Sequence, residues 1–415
     1  MQQNTIKSTD SSSAVVYGCL EEMVRLQAQA LIQRVLEEEV EALLGRKKYE
    51  RKAEIAAPVG YRNGYGKERK LALTSGTVMI RRPRVKGLEE RFESRILPLF
   101  VRRSAEVGEL IPELYLHGLS HGDFELALRG LLGDGAPLSP SSVARLKEKW
   151  QADKAAWDQR SLADLDVVYL WVDGVYIKAG LEKEKACVFV AVAGLADGRK
   201  VIVSLTSGHR ESTASWESFL RDLIARGMRS PRLVSGDGNL GIWGAVTSVF
   251  PEADDQRCWN HRIVNVLDKL PKKLQEAGKK LLKLIPYADT KIEAEVAKKR
   301  FQSWATLKGQ KEAASLIDVD WDRMLTFYRY PKEHWRHLRT SNIVESPFAT
   351  LRLRTDAAKR FKKVENATAL VWKMLLVAQK SFRKLNAPHL MALVYSGAKC
   401  YDGVIIREEA KGKAA

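Results

Sequence analysis

At 415 residues the chain is too long for one small core and is expected to hold two or three folded units of roughly 100–200 residues each. Its 45% hydrophobic content excludes a disordered protein. The 69 Lys plus Arg residues against 51 Asp plus Glu leave a net charge of +18, which favours a polyanionic partner such as nucleic acid.

Residues 1–13 are polar and Ser-rich and are expected to form an unstructured lead. From Tyr17 to about Leu44 the apolar residues Leu20, Val24, Ala28, Leu31 and Val35 recur every three or four positions, which is helical spacing. A basic, Gly-rich stretch follows. Beyond it, two short apolar runs flank Thr74, Ser75 and Gly76, which predicts a β-hairpin whose second strand carries Arg81, Arg82 and Arg84. Residues 104–158 read as helical, with breaks at His117-Gly118 and at 133–137. Ser139 followed by Pro140 predicts the N-cap and first turn of a helix that carries Val143, Leu146, Lys147 and Trp150. Short helices joined by tight turns fit a helix-turn-helix reader of DNA, and they fit a helical linker almost as well.

At Leu165 the texture changes. VVYLWVDGVYI, ACVFVAVAGLA and KVIVSLTSG are strand-like runs rich in Val, Tyr and Phe. A helical pattern (STASWESFLRDLIARGM), a short strand (PRLVSGDG), a helix (LGIWGAVTSVF) and a strand near Asp255 to Trp259 come next. Three strands and then strand–helix alternation predict a mixed α/β sheet. From about Asn260 to Arg336 the chain is Lys- and Glu-rich with helical spacing, which predicts a helical insertion. The segment 343–385 is helical and basic, with Arg352, Arg354, Arg360 and Lys363 among its cations.

Three acidic residues stand out from these elements. Asp173 interrupts a run that is apolar on both faces, where an ionised carboxylate is unfavourable unless a positive group such as a metal ion compensates it. A surface Asp at a strand end beside Gly174 is the alternative. Asp237 follows a short strand and precedes a helix, at the kind of strand end where α/β sheets gather ligands; its flanking Gly236 and Gly238 would let the backbone bend and a substrate approach. An ordinary turn Asp is the rival reading. Glu345 follows the capping residues Ser341 and Asn342, but Pro347 leaves open whether the helix starts before or after the proline, and a simple cap is possible. An Asp on a first buried strand, an Asp at the end of a later strand and a Glu on a helix beyond it follow the order of ribonuclease-H-like nucleases. Hard oxygen donors gathered in that way suit Mg²⁺ or Mn²⁺.

The motifs WVDGVY, GHRES with the following SW pair (Glu211, Ser212, Ser215, Trp216), RLVSGDGNLGIW, RCWNHRIVNVLDKLP and RTSNIVESPFATLRLRTDAAKRFKKVEN resemble the Mutator-type transposases of bacterial insertion sequences. The resemblance covers nearly the whole chain after about residue 45 and keeps the family's order. It implies an α/β catalytic domain of ribonuclease-H-like mixed-sheet type, interrupted by an all-helical insertion. A mainly helical DNA-binding region with a basic β-hairpin would precede it. It also implies an Asp-Asp-Glu triad at Asp173, Asp237 and Glu345, holding two Mg²⁺ ions for which Mn²⁺ may substitute. The expected divisions are a lead (1–13), a DNA-binding helix and hairpin (14–103), a candidate helix-turn-helix (104–160), two catalytic parts (161–261 and 337–390) around the insertion (262–336), and a tail (391–415).

Cys258 and His261 form a Cys-x-x-His pair that matches the family pattern. No second pair supplies further ligands, so zinc is not expected and the pair is read as supporting the active site, with Arg257 and Trp259 beside it. DNA contacts are expected from Arg81, Arg82, Arg84, Lys147, Arg352, Arg354, Arg360 and Lys363. The partners implied are double-stranded DNA, as terminal repeats and target, and a second copy of the chain. A non-catalytic relative that only occupies element ends is the alternative function; a stand-alone nuclease would leave the basic hairpin unexplained. With no apolar run of roughly 18 residues and a polar first segment, no membrane partner is expected and the protein is placed in the cytoplasm. Its four scattered cysteines are expected to be reduced.

Overall fold

A computed structural model describes residues 10–50, 60–119, 124–132, 140–180, 185–208, 210–238, 241–357 and 361–406. The chain divides into two units, residues 1–146 and 147–415.

The first unit contains helix α1 (Asp10–Leu44), strands β1 (Tyr61–Tyr65), β2 (Arg69–Leu73), β3 (Gly76–Ile80) and β4 (Pro83–Lys86), and helices α2 (Ala105–Leu116) and α3 (Phe124–Leu132). Helix α1 begins at Asp10, inside the stretch expected to be unstructured; residues 1–9 lie outside the described residues. It is a helix as its spacing predicts, but the buried face differs. Leu36, Val40 and Leu44 are buried, and Leu36 packs with Leu71, Val78, Ile80 and Leu97, whereas Leu20, Val24 and Leu31 are exposed. The reason is polar. Gln29 and Gln33 face the open edge of β3 and accept from the N–H groups of Met79 (3.3 Å) and Arg81 (3.1 Å), satisfying strand donors that would otherwise be unpaired.

Strands β2 and β3 form the expected antiparallel hairpin. Strand β3 ends at Ile80, so Arg81 and Arg82 lie in the connection and Arg84 sits in β4, which pairs with β1. That second pairing escaped the sequence because Tyr61–Tyr65 holds Arg, Asn and Gly and not an apolar run. Ser104 caps α2 by accepting from the Val107 N–H, and Gly118, at φ +116°, lies where the break was expected. Pro140 opens helix α4 (Pro140–Asp158), whereas Ser139 lies outside the described residues.

The second unit has a mixed α/β fold. Its strands are β5 (Val167–Ile177), β6 (Ala186–Leu195), β7 (Lys200–Gly208), β8 (Leu233–Gly236) and β9 (Asp254–Arg257), with α5 (Thr213–Ala225) and α6 (Ile242–Val249) between them. They form a five-stranded sheet in the order β7-β6-β5-β8-β9. β6 is antiparallel to both β5 and β7, and β8 is parallel to β5 and β9. Val-rich β5 and β6 occupy the middle and are buried on both faces, which their continuous apolar runs require. On one face Val172 and Phe189 pack with Trp216 and Phe219 of α5 and Ile242 and Val246 of α6.

Beyond β9 the chain is helical: α7 (Trp259–Asp268), α8 (Lys272–Leu284), α9 (Lys291–Leu307), α10 (Lys311–Leu316), α11 (Trp321–Met324) and α12 (Trp335–Leu338). Helices α13 (Asn342–Ala357) and α14 (Val364–Gln379) return to the second face of the sheet. The Trp171 indole donates to the His337 carbonyl there (2.9 Å), and the Tyr169 hydroxyl lies 2.8 Å from His334 Nδ1. What was expected to be a tail holds the end of α15 (Pro388–Tyr395) and a small hairpin of β10 (Cys400–Tyr401) and β11 (Val404–Ile405). Gly403 ties the hairpin down, donating to the Tyr328 carbonyl (3.0 Å) and accepting from the Lys332 N–H (3.1 Å). Cys187, Cys258 and Cys400 are free and buried. Among the described residues no helix is long and apolar enough to cross a membrane.

Candidate active site

Alternation along β5 sends Tyr169, Trp171 and Asp173 to one face and Leu170, Val172 and Gly174 to the other. Trp171 pairs with Ser235 of the parallel neighbour β8, so Asp173 lies two residues beyond that pair on β5 and Asp237 two residues beyond it, just past the end of β8. Each is 8% exposed. Asp237 follows the end of β8, where the Cys258 N–H donates to the Gly236 carbonyl at 2.8 Å.

Glu345 arrives from the opposite end of the sequence. Helix α13 starts before Pro347: the Ser341 carbonyl accepts from the N–H groups of Val344 (3.0 Å) and Glu345 (3.1 Å), and the Ser341 hydroxyl donates to the Glu345 carboxylate. The starts of α7 and α13 are bound together. The Ser341 N–H donates to Cys258 Sγ (3.3 Å), the Asn260 amide to Asn342 Oδ1 (2.8 Å), and the Trp259 N–H to the Arg339 carbonyl (2.9 Å). This binding brings His261 Nδ1 to 3.7 Å from Glu345 Oε1, and that nitrogen makes no hydrogen bond.

The electrostatics register the crowding. Burial first, then the charges of Asp237 and Glu345, push the Asp173 carboxyl up to about 7, against the opposing pull of His261 and of the Gly174 N–H at 2.8 Å. Glu211 is pushed up to about 7 as well, by burial and then by Asp237. His261 moves the same way for the opposite reason: the Cys258 side chain, Glu345 and Asp237 outweigh burial and raise the imidazole to about 9. The charges of Asp237 and Glu345 thus bear on Asp173 and that of Asp237 on Glu211, with His261 opposing both. Glu211 had no role assigned to it from sequence, although it lies in the GHRES motif; its position just ahead of the Ser212 cap of α5 was the available signal.

Cys258, His261 and Glu345 each present a donor atom, all within 4.8 Å of one another. Arg257 pairs with Asp320, and the Trp259 indole donates to the Met324 carbonyl (2.7 Å), so both tie α11 and its approach to β9 and α7. The glycines around Asp237 also serve packing. A Cβ at Gly238, whose φ is +83°, would lie 2.7 Å from Arg257 Nε, and one at Gly236 would lie 2.8 Å from Ile242 Cδ1.

The expected DNA-contacting residues separate into groups. Arg84, Arg352 and Lys363 are exposed, Lys147 is half-buried, and Arg81 is exposed beside Glu68 at 3.6 Å. Two differ from the expectation. The Arg82 guanidinium is committed to the Leu97 and Pro98 carbonyls, and Arg354 is only 5% exposed, because α13 turns that position toward the interior. Arg360 lies outside the described residues.

Residues 1–384 match the family described as Transposase, Mutator family. The chain is 45% identical to the transposase for insertion sequence element IS6120 of Mycolicibacterium smegmatis, over 72% of this chain and 93% of that protein. It is 38% identical to the transposase for insertion sequence element IST2 of Acidithiobacillus ferrooxidans, over 67% of this chain and 94% of that protein. Among solved structures, a chain in the simian T-cell lymphotropic virus intasome in complex with PP2A regulatory subunit B56 gamma overlaps 32% of this chain and 51% of that one. The identity is 18% and the TM-score 0.19, too low to equate the folds.

Proposed function

Because the chain belongs to the Mutator family of transposases, we propose that it cuts and joins DNA at the ends of an insertion sequence using Mg²⁺, with Mn²⁺ as a substitute, held by Asp173, Asp237 and Glu345. It is a transposase, as its relatives are. The observation that carries the metal assignment is the convergence of carboxylates from β5, the end of β8 and α13, with the Asp173 proton held to about 7 by burial and by the other two charges. Repulsion of that kind is relieved by a cation, and the donors are hard oxygens, so the residues fit a divalent ion.

A pair of such ions, when bound, would activate the attacking oxygen and stabilise the leaving one in an in-line phosphodiester displacement. The chain's own part is positional. The parallel pairing of β5 and β8 sets Asp173 and Asp237 two residues beyond a shared pair, and the bonds between the starts of α7 and α13 fix Glu345 against His261. With Cys258 beside it, His261 stays protonated at neutral pH and offsets part of the negative charge. In this reading the sheet is ribonuclease-H-like and α7–α12 belong to its helical insertion. Residues before about 160 carry most of the selective recognition of element ends, a second copy joins to pair two ends, and the work is done in the cytoplasm.

The test is to incubate the purified protein with labelled DNA carrying the element ends, with Mg²⁺, with Mn²⁺ and with EDTA. Cleavage and joining are expected with either metal and neither with EDTA. A protein that binds the ends tightly yet leaves them intact with both metals would be a non-catalytic occupant of element ends. Clustered buried carboxylates weigh against that outcome, since they burden the fold and serve no purpose in DNA binding.

A further inference from the structure

We propose that Glu211 is a fourth carboxylate of the divalent-cation site and that Gly174 is the gap in β5 that admits it. The inference rests on the assignment of Asp173 and Asp237 to that site.

Glu211 follows β7 and directly precedes Ser212, whose side chain accepts from the Ser215 N–H (3.2 Å) and fixes the start of α5. Its side chain is therefore launched from a held backbone. It runs inward: Glu211 is 6% exposed, and among the described residues no hydrogen bond or ion pair to its carboxylate is seen. A buried, ionisable and unpartnered group of this kind is costly unless something outside the chain completes it. Its destination is specific. A Cβ built on Gly174 would lie 1.8 Å from Glu211 Oε1, so the carboxylate occupies the space where any other residue would carry its side chain. Gly174 has no positive φ to explain the glycine, and it lies inside a strand paired with Phe189, not in a turn.

The strand geometry then places the carboxylates together. Asp173 leaves β5 on one face, Glu211 reaches the same strand from the other face one residue further on, and Asp237 directly follows the end of the neighbouring β8. Asp237 is the charge that acts most strongly on the Glu211 carboxyl, and His261, which opposes it, also acts on Asp173 and lies 3.7 Å from Glu345. An oxygen-ligated cation would offset the charge that His261 leaves on these carboxylates.

The experiment measures Mn²⁺ binding to the full-length protein by electron paramagnetic resonance, with melting curves and end-DNA binding in EDTA as controls. Glu211→Gln is isosteric and is expected to bind Mn²⁺ about tenfold more weakly or worse, while melting and EDTA-state DNA binding stay near wild type. Gly174→Ala displaces the Glu211 carboxylate with a methyl group and is expected to lose a similar amount. The double variant should lose little more than either single one, because both remove the same contact. Wild-type Mn²⁺ affinity in Glu211→Gln, or in Gly174→Ala should the former not fold, would overturn the proposal. Asp173→Asn and Asp237→Asn run in parallel: if they lose Mn²⁺ while Glu211→Gln keeps it, only the role of Glu211 falls, and if they too bind normally, the cation site itself is misassigned.

Discussion

Two groups of buried charges lie within a few residues of each other along β9 and α7, and they are built in opposite ways. Beside α7 and α11, Arg257, Arg262 and Arg323 surround Asp320, with Arg262 Nη2 3.4 Å and Arg323 Nη1 3.2 Å from its carboxylate, and Arg323 Nε also meets Asp255 at 2.7 Å. The Arg262 guanidinium, nearly inaccessible, also donates to the carbonyls of Leu316 (3.0 Å) and Val319 (2.7 Å). Every charge there has a partner from the chain. At the end of β5 and β8, the charges of Asp237 and Glu345 act on Asp173 and that of Asp237 on Glu211, with His261 opposing them. A buried cluster paired within the chain holds a fold together, whereas crowded carboxylates with raised proton affinity are the kind of arrangement found at functional sites.

If that contrast is right, charge removal should hurt the two clusters differently. The largest effect is expected for Asp173→Asn and Asp237→Asn, which keep shape but not charge. Strand cleavage should fall on the order of a thousandfold or more, the scale of losing a principal electrostatic group, with melting and end-DNA affinity preserved. Cleavage near the wild-type rate in either variant would take that residue out of the site.

Glu345→Gln comes next, and it sets catalysis against a structural role. The Ser341 hydroxyl keeps an oxygen acceptor in Gln, and Gln suits the first turn of α13 nearly as well, so stability should hardly change. Cleavage should drop by roughly a hundredfold or more. A protein that melts normally and cuts normally would mark Glu345 as a cap.

Asp320→Asn should behave in reverse. Asn tolerates the left-handed backbone there, at φ +58°, but cannot pair with three guanidinium groups, and leaving them uncompensated should cost about 3 kcal/mol or more. Thermal melting reads that loss, and cleavage per folded molecule should remain within a few-fold of wild type. A stable Asp320→Asn protein with impaired chemistry would erase the distinction between the two clusters.

The smallest effect concerns pH in metal-free protein. Asp173 and Glu211 titrate near 7, above their ordinary values of 3.8 and 4.5, so the stability present below those values is lost as pH rises through 7. His261, raised from 6.5 to about 9, contributes stability below 6.5 that is lost as pH passes 9. Both shifts have the same sign. With EDTA, melting temperature should fall by a few degrees, roughly 2–4 °C per kcal/mol, between pH 5 and 9, and Mg²⁺ should flatten the trend. A melting temperature that climbs with pH in EDTA would contradict the crowding of carboxylates.

By itself the sequence determined most of the elements of the α/β sheet and two corners of the candidate site. Continuous Val-rich runs fix β5 and β6, an Asp inside one of them and an Asp at the end of β8 are visible because strand patterning is local, and long motifs in order identify the family. What only the tertiary structure decided depends on contacts between distant segments. The buried face of α1 was set by the edge of β3, the meaning of Gly174 by Glu211, the place of Glu345 by bonds between the starts of α7 and α13, and the burial of Arg354 by the packing of its helix. Periodicity reports which residues share a face, but not which neighbour that face will meet; the neighbour is chosen by strand pairing and by the need to satisfy buried polar groups.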